Sequence, residues 1–168
     1  MFEHLTVHRR IVVTGPQRSG TTIAGRMIAQ DTGHRYIDEA EFAVYDKTAW
    51  RDILRQAGVV VQCPHMLRAI LDDPPPGIFV VLMRRDLGAI HASARRIEWE
   101  TRFNGNTLEL GAFGRTEGDS AQIKYEYWDS SPKPAQYLEL DYECLRGHPL
   151  YVAKESREHF GRKQTNLP

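Results

Sequence analysis

The sequence predicts an α/β fold, a parallel sheet of about five strands with helices on both faces. Apolar, β-branched runs recur at residues 11–13, 59–61 and 78–83, as strands covered on both faces require. Segments with apolar residues at helical spacing separate those runs. The first run passes through a turn of small residues directly into a helical pattern. Strands alternating with helices imply parallel pairing, with ligands at the carboxyl ends of the strands.

The turn at residues 15–22, GPQRSGTT, organises the chain. The first N–H groups of a helix have no intrahelical acceptor, and the helix dipole adds partial positive charge at that end. Ser19, Gly20, Thr21 and Thr22 are small enough to let a phosphate approach the backbone. This is a phosphate-binding loop, and it makes the fold of P-loop type. The Walker pattern G-x-x-x-x-G-K-[ST] would place lysine at position 21, which is Thr21 here. A cation stands instead at Arg18, within the loop.

The remaining elements follow in order. The first helix runs over 21–31 and is stopped by Gly33, and a short second strand is expected at 34–37. Asp38, Glu39 and Glu41 form an acidic cluster after it. Trp50, Ile53 and Leu54 mark a helix over 47–56. The run 58–63 is a buried strand, and Pro64 is placed to open the next helix through Leu67, Ile70 and Leu71. Residues 72–77, DDPPPG, break the chain before the strand at 78–83. Arg84, Arg85 and Asp86 follow, then a helix marked by Leu87, Ile90, Ala94 and Ile97. Residues 104–134 are rich in glycine and polar side chains, and they read as an irregular lid-like excursion with one short helix. Within it, Tyr125, Tyr127 and Trp128 are expected to anchor the segment to the core. A last strand is expected over 136–140 and a final helix over 149–160.

Bulk properties narrow the function. The 168 residues suit a single domain, and Lys+Arg and Asp+Glu are equal at 22 each. A formal net charge of zero gives no global reason to expect nucleic acid or a membrane surface as partner. No apolar stretch reaches the roughly 20 residues of a membrane span, and the first residues lack the pattern of a signal peptide. The two cysteines, Cys63 and Cys144, offer neither a disulfide framework nor a metal-ligand spacing. A cytoplasmic protein is expected.

Three segments in order resemble the sulfotransferases that use 3′-phosphoadenosine 5′-phosphosulfate (PAPS). Pro16-Gln17-Arg18-Ser19-Gly20-Thr21-Thr22 is similar to the family's 5′-phosphosulfate loop. Arg85 with Ser93, eight residues later, resembles its 3′-phosphate motif. Leu140, Tyr142, Glu143, Leu145, Pro149, Phe160 and Gly161 resemble its closing unit. The resemblance implies PAPS as donor, PAP as product, no metal, and a small-molecule or sugar acceptor. It implies that Arg18, Ser19, Gly20, Thr21, Thr22, Arg85 and Ser93 bind the donor, with Tyr142 near the adenine. Arg18 would also assist transfer. His65 is in the place of the catalytic base, with Glu39 or Glu41 as the rival. Cytosolic members place a lysine just before that histidine, where this chain has Gln62 and Cys63. The run from Gly15 to Asp38 also resembles kinases of the shikimate type, so a divergent nucleotide or small-molecule kinase is the alternative. A module that binds a nucleotide without turnover is the third reading.

Overall fold

The structure is a computed structural model that describes residues 1–43, 46–96 and 117–151, with side chains from 121 onward in the last segment. Five parallel strands form one sheet in the order β2-β3-β1-β4-β5. They are β1 (Arg10–Thr14), β2 (Arg35–Ile37), β3 (Val59–Gln62), β4 (Phe79–Arg84) and β5 (Tyr137–Asp141). The helices are α1 (Thr21–Thr32), α2 (Lys47–Arg55), α3 (Leu67–Asp72), α4 (Leu87–Arg96) and α5 (Glu117–Ser130). The expected α/β class and strand count are therefore observed.

Alternation along the strands divides the core in two. Ile11, Val13, Val60, Val81 and Met83 face Ala24, Met27 and Ile28 of α1, together with Leu140, Tyr142 and Leu145. Val12, Val59, Val61, Val80 and Leu82 face the other way, onto Trp50, Leu54, Leu67, Ile70 and Trp128. Each fully buried strand side chain contributes about 1.5–3 kcal/mol relative to exposure. β1 lies in the centre, paired with β3 on one side and β4 on the other. The chain leaves β1 toward β2 and leaves β4 toward β5, so the strand order diverges between β1 and β4. In open parallel sheets that divergence opens a crevice at the carboxyl ends.

The structure revises several expected elements. The segment after Pro64 begins as a 3₁₀ turn, Pro64–Met66, before α3. The lid-like excursion contains a 14-residue helix, α5, in place of one short helix. Its inward residues Ala121, Lys124, Tyr125 and Trp128 are buried, so this part belongs to the core. Arg84 staples α5 to β5. Its Nε donates to Glu139 Oε2 at 2.8 Å, the same guanidinium pairs with Asp129, and it lies over the Tyr125 ring. Trp128 Nε1 donates to the other Glu139 oxygen at 2.8 Å. Residues 97–116 and the expected final helix from 152 onward lie outside the described residues. Among the described residues, no helix is long and apolar enough to cross a membrane.

A polar knot closes the face carrying α1. Asp31 accepts from Phe2 N–H at 2.7 Å and from the ring of buried His148 at 3.0 Å. Leu150 N–H donates to His148 Nδ1, which leaves the proton on Nε2 for Asp31. Burial works against ionisation of Asp31, but Phe2 N–H, the Met1 ammonium and His148 outweigh it and hold the carboxyl down at about 2. The sign follows from linkage: a depressed carboxyl stabilises the fold above its unfolded value near 3.8 and loses that contribution as pH falls toward 2. Asp31→Asn is therefore expected to lower stability at neutral pH and to flatten the acid limb between those values. Urea melts across pH test this, and an unchanged acid limb would refute it.

Candidate functional site

The loop between β1 and α1 is held open by its backbone. Gly15 has φ 138 and Gly20 has φ 101, and Arg18, although not a glycine, has φ 65. A Cβ at Gly15 would lie 2.9 Å from the Met83 carbonyl oxygen, so glycine is what lets the loop pass against β4. Gly20 is the N-cap of α1 and supplies no side-chain cap. The first N–H groups of α1 therefore face the crevice without a side-chain acceptor at the cap position, the arrangement that attracts an anion. Ser19 turns inward, donating from Oγ to the Pro16 carbonyl at 2.6 Å.

Four of the residues selected from sequence converge here. Arg18 donates from Nε and Nη2 to Ser93 Oγ at 3.2 and 3.1 Å. Arg85 donates from Nη1 to the Arg18 carbonyl at 2.8 Å, and its guanidinium lies 4.1 Å from the centroid of the Tyr142 ring. Arg85 Nε is buried and has no hydrogen-bond partner among the described residues. Ser93 differs from expectation. Positions 90, 93 and 94 share one helix face, so Ser93 is buried with Ile90 and Ala94 and reaches Arg18 from inside the fold. Tyr142 is buried as well, and a Cβ at Gly20 would lie 2.5 Å from its Cδ2.

The first turn of α1 is tied to β3. Gln62, in the stretch where the sulfotransferase pattern has lysine, donates from Nε2 to Thr21 Oγ1 at 3.1 Å. Thr21 is thereby buried, whereas Thr22 remains exposed. Gln17, also buried, accepts from Lys124 Nζ at 2.5 Å. Lys124 is 0% exposed, and it brings a second kind of cation to the loop from α5. Sequence reasoning missed it. The available signal was its spacing, because Lys124 stands three, one and four residues from Ala121, Tyr125 and Trp128 on the inward face.

A second group of side chains lies beyond the carboxyl ends of β2 and β3. Parallel register pairs Ile37 with Val61, so the segments leaving the two strands run side by side. This brings His65 Nδ1 within 3.0 Å of Glu39 Oε2. The two residues that sequence offered as rival bases are thus partners. Glu41 is placed elsewhere: its Oε1 accepts from Asp38 N–H at 2.8 Å and completes a capping box on the turn Glu39–Glu41. Asp38 also accepts from Tyr36 Oη at 2.8 Å. Cys63 lies beside His65, and burial raises its thiol above the ordinary value against the opposing effect of the imidazole. A depression lined by Arg10, Gly77 and Gln136 lies at the amino ends of the strands, away from all of these groups.

No protein-family model matches the sequence, and no curated protein matches it. Among solved structures, the chain resembles the shikimate kinase from Acinetobacter baumannii in complex with shikimate. That likeness has 13% identity over 99% of this chain and 98% of that one, with a TM-score of 0.52. A sugar kinase from Janibacter sp. HTCC2649, in unliganded form, aligns at 16% identity over 94% of this chain and 92% of that one, with a TM-score of 0.48. At such identity the first likeness establishes the P-loop α/β fold and leaves the chemistry to the site.

The tight fit of Gly20 gives a stability test. Gly20→Ala must accommodate both the left-handed backbone and the Tyr142 ring, and it is expected to cost about 1–3 kcal/mol. Denaturant unfolding measures this directly, and a loss below a few tenths would show that the loop relaxes around the new methyl group.

Proposed function

We propose that this chain transfers a sulfuryl group from PAPS to a hydroxyl or amine of a small-molecule or sugar acceptor. The observation that carries the reading is Arg85: a guanidinium braced on the Arg18 carbonyl and the Tyr142 ring, whose buried Nε–H has no acceptor among the described residues. An orphaned buried donor costs free energy that an anion at the crevice would recover. Together with the uncapped N-terminus of α1, it gives the loop region two kinds of anion-binding group, backbone N–H and guanidinium, which suit a donor with a 5′-phosphosulfate and a 3′-phosphate. The residues present therefore fit PAPS.

When bound, PAPS supplies an activated sulfuryl group and leaves as PAP. The N–H groups of α1, with Thr22 and the Thr21 backbone, hold the 5′ end, and Arg18 places positive charge where negative charge builds on the leaving oxygen. Arg85 holds the 3′-phosphate as a fork of donors. Ser93 Oγ accepts from Arg18 and so orients it, and the Ser93 O–H is the donor it offers the 3′-phosphate. At the other end, Glu39 accepts the proton on His65 Nδ1 and leaves Nε2 as the basic nitrogen. That nitrogen takes the acceptor's proton as its oxygen or nitrogen bonds to sulfur.

A phosphoryl-transfer reading draws on one observation, the Asp38 carboxylate on the rim beside Tyr36. Against it stand Thr21 in the lysine position of the loop and the end of β3, Gln62, where a magnesium-binding Asp is expected.

Calorimetric titration separates the two. Binding of PAP without a divalent cation, and not of ATP with magnesium, is the expected result, and the reverse preference would replace the sulfuryl reading with the phosphoryl one. Arg85→Ala is expected to weaken PAP roughly tenfold to a hundredfold, the worth of charge-assisted hydrogen bonds. Full retention of affinity would remove Arg85 from the site. His65→Asn should lower kcat by roughly 10²–10⁴ while PAP affinity is kept, and an unchanged kcat would transfer the base role to another group.

A further inference from the structure

The side of the crevice formed by β2 and β3 carries a second constellation. Glu39, Cys63 and His65 each present one ligand atom, and these atoms lie within 4.8 Å of one another. They come from two segments brought together by strand register rather than from a single motif. Cys63 is held firmly, since its N–H donates to the Val13 carbonyl and its carbonyl accepts from Thr14 Oγ1, both at 3.0 Å. Pro64 fixes the step to His65. The thiol is buried, while the His65 and Glu39 side chains are 17% and 31% exposed, so a solvent ion has a route in from their side.

A sulfur, an imidazole nitrogen and a carboxylate oxygen are the donor types of a zinc site with three protein ligands and one open position. Thiolate and imidazole favour zinc or cobalt over magnesium or calcium, which require oxygen ligands. We infer that Glu39, Cys63 and His65 form a binding site for a zinc-like divalent cation at the end of β3. Binding releases the Cys63 S–H proton to solvent as the sulfur–metal bond forms, and it replaces the hydrogen bond between His65 and Glu39 by two bonds to the metal. The charges balance, with two positive on the ion against one on the thiolate and one on the carboxylate, which limits the cost of burying them. The metal site itself does not depend on the transfer reading. Its consequence does: with an imidazole nitrogen committed to metal, His65 is lost as the base, so zinc acts as an inhibitor of transfer.

The test uses the full chain, stripped of metal with a chelator and titrated with cobalt(II) in the absence of PAP and acceptor. The expected result is one equivalent of cobalt, with a near-ultraviolet thiolate-to-cobalt charge-transfer band and the strong visible bands of four-coordinate cobalt, all abolished by zinc. Cys63→Ser should remove the charge-transfer band, and Cys144→Ser, at the exposed cysteine, should keep it. Glu39→Gln is on the surface side and leaves the core intact, and it should weaken cobalt at least tenfold, as the loss of even an outer partner does at metal sites. Absence of the band, its survival in Cys63→Ser, or unchanged affinity in Glu39→Gln would overturn the site. Because the spectrum is read without PAP, it succeeds or fails separately from the calorimetry that tests sulfuryl transfer.

Discussion

The clamp between Arg85 and Arg18 is the contact on which the crevice depends. Arg18 stands at φ 65, a region that costs a side-chain-bearing residue about 1–2 kcal/mol, and it stays there because both ends of the residue are held. Its carbonyl accepts from Arg85 at the end of β4, and its guanidinium donates to Ser93 on α4. The loop is thus fixed from outside by the neighbouring strand and helix. Arg85 has a fixed position in return, stacked on Tyr142 from the segment after β5. A cation held by its own protein on two sides loses little freedom when an anion arrives, which is the condition for strong binding by a preorganised site.

How much of this was readable in the chain depends on how local the cause is. Strands such as Val59–Gln62 were legible because an uninterrupted apolar run has few alternatives to a buried parallel strand. The loop was legible because its glycines and small residues are needed within a few positions of one another. The helix Glu117–Ser130 was hidden by Lys124, which stands on its inward face where the pattern calls for an apolar residue. What justifies that lysine is Gln17, 107 positions earlier. The same holds for Glu39 and His65, which were weighed as competitors because nothing in a linear reading shows that the segments after β2 and β3 leave in parallel. Among the described residues Ser93 bonds to Arg18 of the loop, not to the Arg85 with which the motif groups it. Its spacing from Ile90 already placed it on the buried face.

The two ends of the crevice are built differently, and the difference suits a transfer reaction. The end at the loop is made of backbone N–H groups, two guanidinium groups and a buried ammonium attached through Gln17, all of them suited to negative charge. The end beyond β2 and β3 holds a carboxylate, an imidazole and a thiol, groups that accept protons and soft cations. Gln62 sits at the junction, its amide bonded to Thr21 at the start of α1, while the residue after it contributes the thiol. The strand that carries both is paired directly to β1, so the spacing between the two halves is set by sheet geometry.

The close approach of Tyr142 to Gly20 also bears on how the molecule opens. A surface loop ordinarily frays on its own, exchanging its amide hydrogens through small local excursions. Here the ring of Tyr142 belongs to the same buried cluster as Val13, Met27 and Leu145, so the loop backbone at Gly20 cannot lift without disturbing that cluster. Opening of the loop at Gly20 is therefore coupled to that cluster, so its amides there exchange with solvent only in excursions that also disturb the packing of α1 against the sheet.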